Sequence, residues 1–321
     1  MKPKPGSKWV VLAALIGNGL IAITKMIATA ITGSSAMLSE AVHSIVDTCN
    51  QGLLLWGMKR SSKPADQQHP FGYGMELYFW TFVVAILIFA IGAGVSLYEG
   101  FHKLNSPRTV QHIYINYIVL GFAMIFEGVA WVVAFREFRR RKGKLGYFKA
   151  VQMSKDPTVF TVLFEDSAAM LGLMVAFVGL LLTQYLEQPM YDALASIVIG
   201  IILSCTAMLL AYETKGLLIG EAASKDVITG IQNIVSQEKD ILSINEILTM
   251  HMGPQDILLN ISIDFHDNIS AGEVERTITR LEMKIKDQYP EVARIFIEAQ
   301  NRLAHLRNIA KSNNDNQEVL F

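Results

Sequence analysis

The sequence predicts an all-α membrane domain of six transmembrane helices over residues 1–220, then a small α/β domain of αββαβ order, ferredoxin-like, over 221–300. Three observations lead there. Apolar residues form 51% of the 321 positions and charged ones 18%, with a mean hydropathy of +0.33, a membrane composition rather than that of one large globular core. The apolar residues are bunched into runs of about 20, the length a helix needs to cross the hydrocarbon layer. After about Gly220 the chain turns polar and shows the alternation of a half-buried strand.

The six runs cover about Trp9–Ile31, Ser35–Met58, Tyr78–Leu97, Ile113–Phe135, Val159–Tyr185 and Tyr191–Leu210, with a turn at Thr32-Gly33-Ser34 between the first two. Orientation follows from the charges between them. Lys2, Lys4 and Lys8, then Lys59, Arg60 and Lys63, then Arg136-Glu137-Phe138-Arg139-Arg140-Arg141-Lys142-Gly143-Lys144 fall on one side; the other side has Lys103 and Arg108. Basic loops stay cytoplasmic, so both termini are expected inside, in a multi-pass protein of a bacterial inner (plasma) membrane. The basic run reads as a topology signal that also meets anionic lipid, and no nucleic-acid partner is expected. The first run is too long for a cleavable signal peptide. Lys25 within it should snorkel to the outer face or pair with an acid. Cys49 and Cys205 both fall in apolar runs, so a disulfide framework is not expected. Cys49, roughly 200° round the helix from Asp47, reads as a packing residue.

In the polar third, Ser224 should cap a helix whose apolar face is Val227, Ile231, Ile234 and Val235. Ile257, Leu259, Ile261, Ile263 and Phe265 alternate with Asn260, Ser262 and Asp264, a strand whose hairpin partner is Ile244–Met252. Ser270-Ala271-Gly272-Glu273 is a capping box opening a second helix, and Val292–Ile297 is a last strand. Residues 301–321 are polar and without periodicity, and are expected to be disordered. Their end, Glu318-Val319-Leu320-Phe321, resembles an expression-tag remnant.

The second run is the odd one. It carries Glu40, His43, Asp47 and Asn50 at i, i+3, i+7 and i+10, a single helical stripe with His43 and Asp47 one turn apart. Ionisable groups at membrane depth mark an ion or proton path, and imidazole with carboxylate one turn apart is metal-ligand spacing. A polar stripe also serves simply to glue two membrane helices. The fifth run holds a second conspicuous pair, Glu165 and Asp166, adjacent acids in an apolar context. Offset by about 100° on a helix, one should face the second span and the other a cavity wall. Two such carboxylates need a cation or protons.

These residues carry a resemblance. SSAMLSEAVHSIVDTCNQGLL in the second run, HPFGYG after it, LFEDSAAMLG in the fifth and PMYDALASIVIG opening the sixth resemble the cation diffusion facilitator (zinc transporter) family of divalent-metal/proton antiporters. Within it the chain looks closest to the zinc transporter 9 branch, which shares SEAxHSxxDTCNQGLL and a Glu-Gly in the fourth span. The resemblance implies a homodimer whose transport site takes two ligands from the second span and two from the fifth. His43 and Asp47 match the first pair and Asp166 the second member of the other. The remaining position falls on Val162, which cannot bind metal. Glu165 is the preferred fourth ligand, ahead of Glu40, Glu127, Asn50 or water. Glu127 also has a structural reading, pairing across the bundle.

One neutral imidazole and two carboxylates balance a dication, and protons must replace the metal when it leaves, so His43, Glu40 and Glu127 are proton-coupling candidates. The donor set suits Zn²⁺, with Mn²⁺, Fe²⁺ or Co²⁺ also fitting, carried as substrate with H⁺ as counter-ion and no prosthetic group. The expected function is export of Zn²⁺ from the cytoplasm by alternating access. The rivals are a Mn²⁺- or Fe²⁺-selective transporter and a membrane metal sensor or scaffold that does not turn over. An enzyme is not expected: the sequence offers no nucleophile–base pair and no Walker loop. Two accessory sites of bacterial relatives look degraded. The loop site would keep Asp66 and His69 but has Tyr73 as its third position. The soluble-domain positions read Asn245, Ser262 and Glu298, with His251 and His266 elsewhere, so that domain is expected to dimerise without metal.

Overall fold

The computed structural model describes residues 5–143 and 145–318. Lys2, Lys4 and Lys144 of the orientation argument, and Val319–Phe321 of the suspected tag, lie outside the described residues. The chain divides into two compact units, one of Met1–Ala65 with Met75–Gly216, the other of Asp66–Gly74 with Leu217–Phe321.

The first unit is helical: α1 (Pro5–Thr32), α2 (Ser35–Ser61), α3 (Glu76–Leu87), a π-helical stretch (Ile88–Ala93) running straight into α4 (Gly94–Asn105), α5 (Ile113–Lys142), α6 (Tyr147–Met153), α7 (Pro157–Leu186) and α8 (Met190–Ile219). Among the described residues, five helical stretches, within Leu15–Thr32, Glu76–Asn105, Ile113–Arg140, Pro157–Leu186 and Met190–Ile219, are long and apolar enough to cross a membrane. The chain is therefore an integral membrane protein. Of the six expected spans, α2 has the length but not the apolarity of these five, because it carries the polar stripe. The lateral surface fits a hydrocarbon solvent: Leu20, Phe122, Ile125, Val129 and Val133 are all more than half exposed. The basic run is a correction too. Instead of a loop, α5 continues through Arg136–Lys142 and stops at Gly143, whose φ of 54° suits a residue without a Cβ. Cys49, expected to be packed, is exposed on α2 beside Gly19 and Ala22 of α1, the side away from the stripe.

The N-terminus of α2 is fastened by a buried network that the sequence did not announce. Ser34 caps it, accepting from Met37 N at 3.1 Å. Asp192 of α8 accepts from Ser34 Oγ at 2.5 Å, Ser35 N at 2.7 Å and Ala36 N at 3.4 Å. Lys103 of α4, counted above as a loop charge, is buried with its Nζ 2.6 Å from Asp192 Oδ2 and 2.7 Å from Gly33 O. A carboxylate at a helix N-terminus with a lysine behind it satisfies orphan N–H groups and its own charge together. One turn further along α2, Ser39 Oγ lies 2.6 Å from Ser196 Oγ of α8, and Ser196 donates to Ser96 O at 2.8 Å.

In the second unit, α9 (Lys225–Ser236) is followed by β1 (Ile241–Gly253), β2 (Asp256–Phe265), α10 (Ala271–Gln288) and β3 (Val292–Ala299). β2 lies between its neighbours, antiparallel to β1 with Ile247 opposite Ile261, and parallel to β3 with Ile261 opposite Ile297. The alternation seen in sequence becomes the core: Ile257, Leu259, Ile261 and Ile263 are buried with Ile231 and Val235 of α9 and Leu281 and Ile285 of α10. Ser224 accepts from Val227 N, and the Ser270/Glu273 capping box is complete.

Two features of this unit differ from expectation. Residues 301–318, expected to be disordered, continue into α11 (Arg302–Glu318). Its start is held by Asp264, which accepts from Arg302 N, and by Asn301, which accepts from Leu303 N, each at 3.0 Å. Buried His305 sits 2.8 Å from Gln300 Oε1. Capping contacts supply what composition lacks. The segment 66–74, assigned by sequence to the membrane domain, belongs here. Arg294 donates to Pro70 O at 2.6 Å and lies 5.3 Å over the Phe71 ring. A Cβ on Gly74 would come within 2.3 Å of Met252 O, so the approach requires glycine. Asp66 accepts from Tyr73 Oη at 2.6 Å and from the amides of His69 and Gln68, which holds its carboxyl below the usual carboxylate range. Both its oxygens are engaged in the turn.

Glu238 gives this unit a pH signature. Burial pushes its carboxyl up, but hydrogen bonds from Lys284 at 2.6 Å and Arg280 at 2.9 and 3.0 Å outweigh that and hold it below its ordinary value. A carboxyl depressed on folding adds stability above its unfolded pKa and loses it as pH falls through the folded one. Glu238→Gln should therefore unfold at lower temperature than the parent at neutral pH. The gap in thermal unfolding temperature should close below about pH 4; a gap that persists there would show the pair is not its source.

Candidate metal centre

α2 packs against α1, α3, α4 and α7, which turns its polar stripe away from the lateral surface. Glu40, His43, Asp47 and Asn50 are all buried. His43 Nε2 lies 3.4 Å from Asp47 Oδ2, as the one-turn spacing requires. Beyond that contact the stripe is underfilled. Both ring nitrogens of His43, Asp47 Oδ1, Asn50 Oδ1 and Glu40 Oε1 are buried without a hydrogen-bond partner. Such atoms are normally paired with protein or water, and each orphan costs about 1–3 kcal/mol. These orphan atoms belong to residues of one helical stripe, at positions 40, 43, 47 and 50.

α7 supplies the facing groups, and its two adjacent acids take different directions. Glu165 faces α2, accepting from Asn50 Nδ2 at 2.8 Å. Asp166 lines a mostly apolar groove of about 1260 Å³ whose walls include Gln51, Thr158, Val162 and Glu137 together with Phe122, Ile125, Val129 and Val133 of the lateral surface. Val162 is thus on the same wall as Asp166 and offers no donor. Thr161, beside it, has a buried hydroxyl without a partner; sequence reasoning missed it because threonine in an apolar helix is unremarkable. Glu127 of α5 is buried and lies in the electrostatic neighbourhood of Glu40, Asp47 and Asp166.

Lys25 does not snorkel. It is fully buried on α1, with Nζ 3.0 Å from Glu40 Oε2 and 2.8 Å from Ser44 Oγ. Glu40 in turn lies against α7, where a Cβ on Gly172 would sit 2.3 Å from Oε1. The structure therefore brings His43 and Asp47 together, links Glu165 to the stripe through Asn50, and leaves Asp166 on the cavity side. Among the described residues no group of three or more His, Cys, Asp and Glu is close enough to share one ion. Chemically, the stripe offers one imidazole and several carboxylates across a helix pair, donors suited to a borderline divalent cation.

The family model for the cation efflux transmembrane domain matches residues 11–219. The chain belongs to the cation diffusion facilitator family. This cation diffusion facilitator is 31% identical over 262 residues to the proton-coupled zinc antiporter SLC30A9, mitochondrial, of Homo sapiens, covering 81% of the chain and 46% of that protein. It is 28% identical over 262 residues to metal tolerance protein C4 of Arabidopsis thaliana, covering 81% and 57%. To the manganese efflux system protein MneP of Bacillus subtilis it is 23% identical over 301 residues, covering 91% and 95%. The facilitator spans about half the length of the first two relatives. Its family is one of membrane metal transporters, not of enzymes.

Proposed function

We propose that the chain exchanges Zn²⁺ for protons, exporting the metal from the cytoplasm by alternating access, as a homodimer in a bacterial plasma membrane. The observation that carries this is the row of unpartnered buried donors along α2, from Glu40 Oε1 through His43 and Asp47 to Asn50 Oδ1. In this reading α2 is a sixth crossing helix, its polarity tolerated because it faces the bundle interior. His43, Asp47 and Asp166 are the ligands and Glu165, steadied by Asn50, the fourth. His43 and Glu127 take up protons as metal leaves, Glu40 being engaged by Lys25, since ligands must be deprotonated to bind and carboxylates left bare must be neutralised.

Both termini and the basic end of α5 lie in the cytoplasm in this arrangement. The cavity reaching Asp166 also touches Thr158 at the start of α7 and Glu137 near the end of α5, the cytoplasmic ends. The opposite end of α2 is sealed by the Ser39–Ser196 contact and the Asp192 cap. The zinc antiporter relative supports the cargo. A Mn²⁺ preference is the second reading, favoured by a donor set with more carboxylates than imidazoles and by the manganese efflux relative.

The test is flux of both ions. Purified protein in proteoliposomes loaded with metal- and pH-sensitive dyes should accumulate Zn²⁺ while protons move the other way, continuously and in excess of protein. Stoichiometric binding without sustained flux would mean a sensor. Mn²⁺ uptake indifferent to excess Zn²⁺ would remove zinc as cargo.

A further inference from the structure

A fully buried lysine in a crossing helix needs a reason, since a charge at membrane depth is costly unless paired. The Lys25 ammonium spends its contacts on Glu40 Oε2 and Ser44 Oγ. Glu40 is one turn from His43 on the same face, where an i, i+3 neighbour can share a ligand with it. Its other oxygen, Oε1, is buried without a hydrogen-bond partner. Glu40 is thus a carboxylate one helical turn from His43, with one oxygen occupied by a lysine and the other against Gly172 of α7.

We propose that Lys25 is a specificity-determining residue: it withholds Glu40 from the transported ion and so favours Zn²⁺ over the harder Mn²⁺. The inference rests on the metal-transport reading above. With Glu40 held by the ammonium, the ion meets an imidazole and few carboxylates, a set that suits zinc. A further carboxylate moves the site toward the oxygen-rich coordination that Mn²⁺ accepts. Lys25 acts through Glu40 and is a positioning residue, without contact to the ion. A purely structural role, bracing α1 against α2, would alter uptake of both ions alike and leave their ratio fixed.

The experiment compares Zn²⁺ and Mn²⁺ uptake, separately and in competition, for the full chain in proteoliposomes. Binding of each ion to the detergent-solubilised protein is measured alongside by calorimetry. The variants are Lys25→Met and Lys25→Met with Glu40→Gln. Lys25→Met should raise the Mn²⁺/Zn²⁺ ratio about fivefold or more, and the double variant should return it to within about twofold of the parent. An unchanged ratio in Lys25→Met, with normal parental uptake, overturns the inference alone. A double variant shifted as far as the single one also overturns it, because the effect would not pass through Glu40. Should Lys25→Met fail to fold, Lys25→Gln takes its place in both the uptake and the binding measurements, and a parental Mn²⁺/Zn²⁺ ratio in that variant overturns the inference. Parental liposomes that take up neither ion overturn the transport reading and this inference with it.

Discussion

Asp47→Asn is expected to bring Zn²⁺ uptake down to the liposome background. The substitution keeps the shape of the side chain and removes the carboxylate that lies 3.4 Å from His43 Nε2. Loss of a residue that merely supports a metal ligand costs about 10–100-fold in affinity, so loss of a ligand should exceed about 100-fold. Asp166→Asn should fall as far, although Asp166 sits on the cavity wall, because an ion bound between α2 and α7 needs charge from both. Glu165→Gln should lose the least of the three, about 100-fold, since its Oε1 is already engaged by Asn50. Uptake assays on variants shown to be monodisperse in detergent separate these cases. Asp47→Asn transporting within about twofold of the parent would remove α2 from the ion path. Parental rates for Asp166→Asn would reduce that residue to cavity lining.

Asp192→Ala should be the most destabilising single change in the membrane unit. The carboxylate accepts from Ser34 Oγ, two backbone amides of α2 and the buried Lys103. Removing it strands an ammonium and two helix-terminal donors together. Breaking one side of a buried ion pair costs about 3–5 kcal/mol, and the loss should appear as a large fall in thermal unfolding temperature in detergent. Asp192→Asn, which keeps an acceptor, should fall between. Combining it with Lys103→Met should recover much of the loss, because the orphaned charge is then gone. Equal stability of Asp192→Ala and the parent would show that the network contributes nothing net.

What sequence made legible was local. The i, i+3, i+7 stripe on α2 depends only on helical geometry, as do the alternation of β2 and the capping box at Ser270. The adjacent acids of α7 diverge as a helix demands. What stayed hidden required partners distant in the chain. Lys25 offered two readings, and only the approach of α1 to α2 selects Glu40. Lys103 looked like a loop charge because nothing near it in sequence names Asp192. Segment 66–74 was assigned by its neighbours, yet the Arg294 contact places it with the sheet. For α11, a polar tail becomes a helix because Asp264 and Asn301 supply its first hydrogen bonds, and composition does not record them.

The six-residue π-helical stretch Ile88–Ala93 has a consequence for chain length. A π turn takes up more residues than an α turn without interrupting the helix, so this span holds a surplus that plain winding would not need. Deleting a residue inside it can be absorbed by rewinding, whereas a deletion between Gly94 and Lys103 would swing the lysine by about 100° off Asp192. Homologous spans wound as α-helix throughout should therefore align with their gap between Ile88 and Ala93.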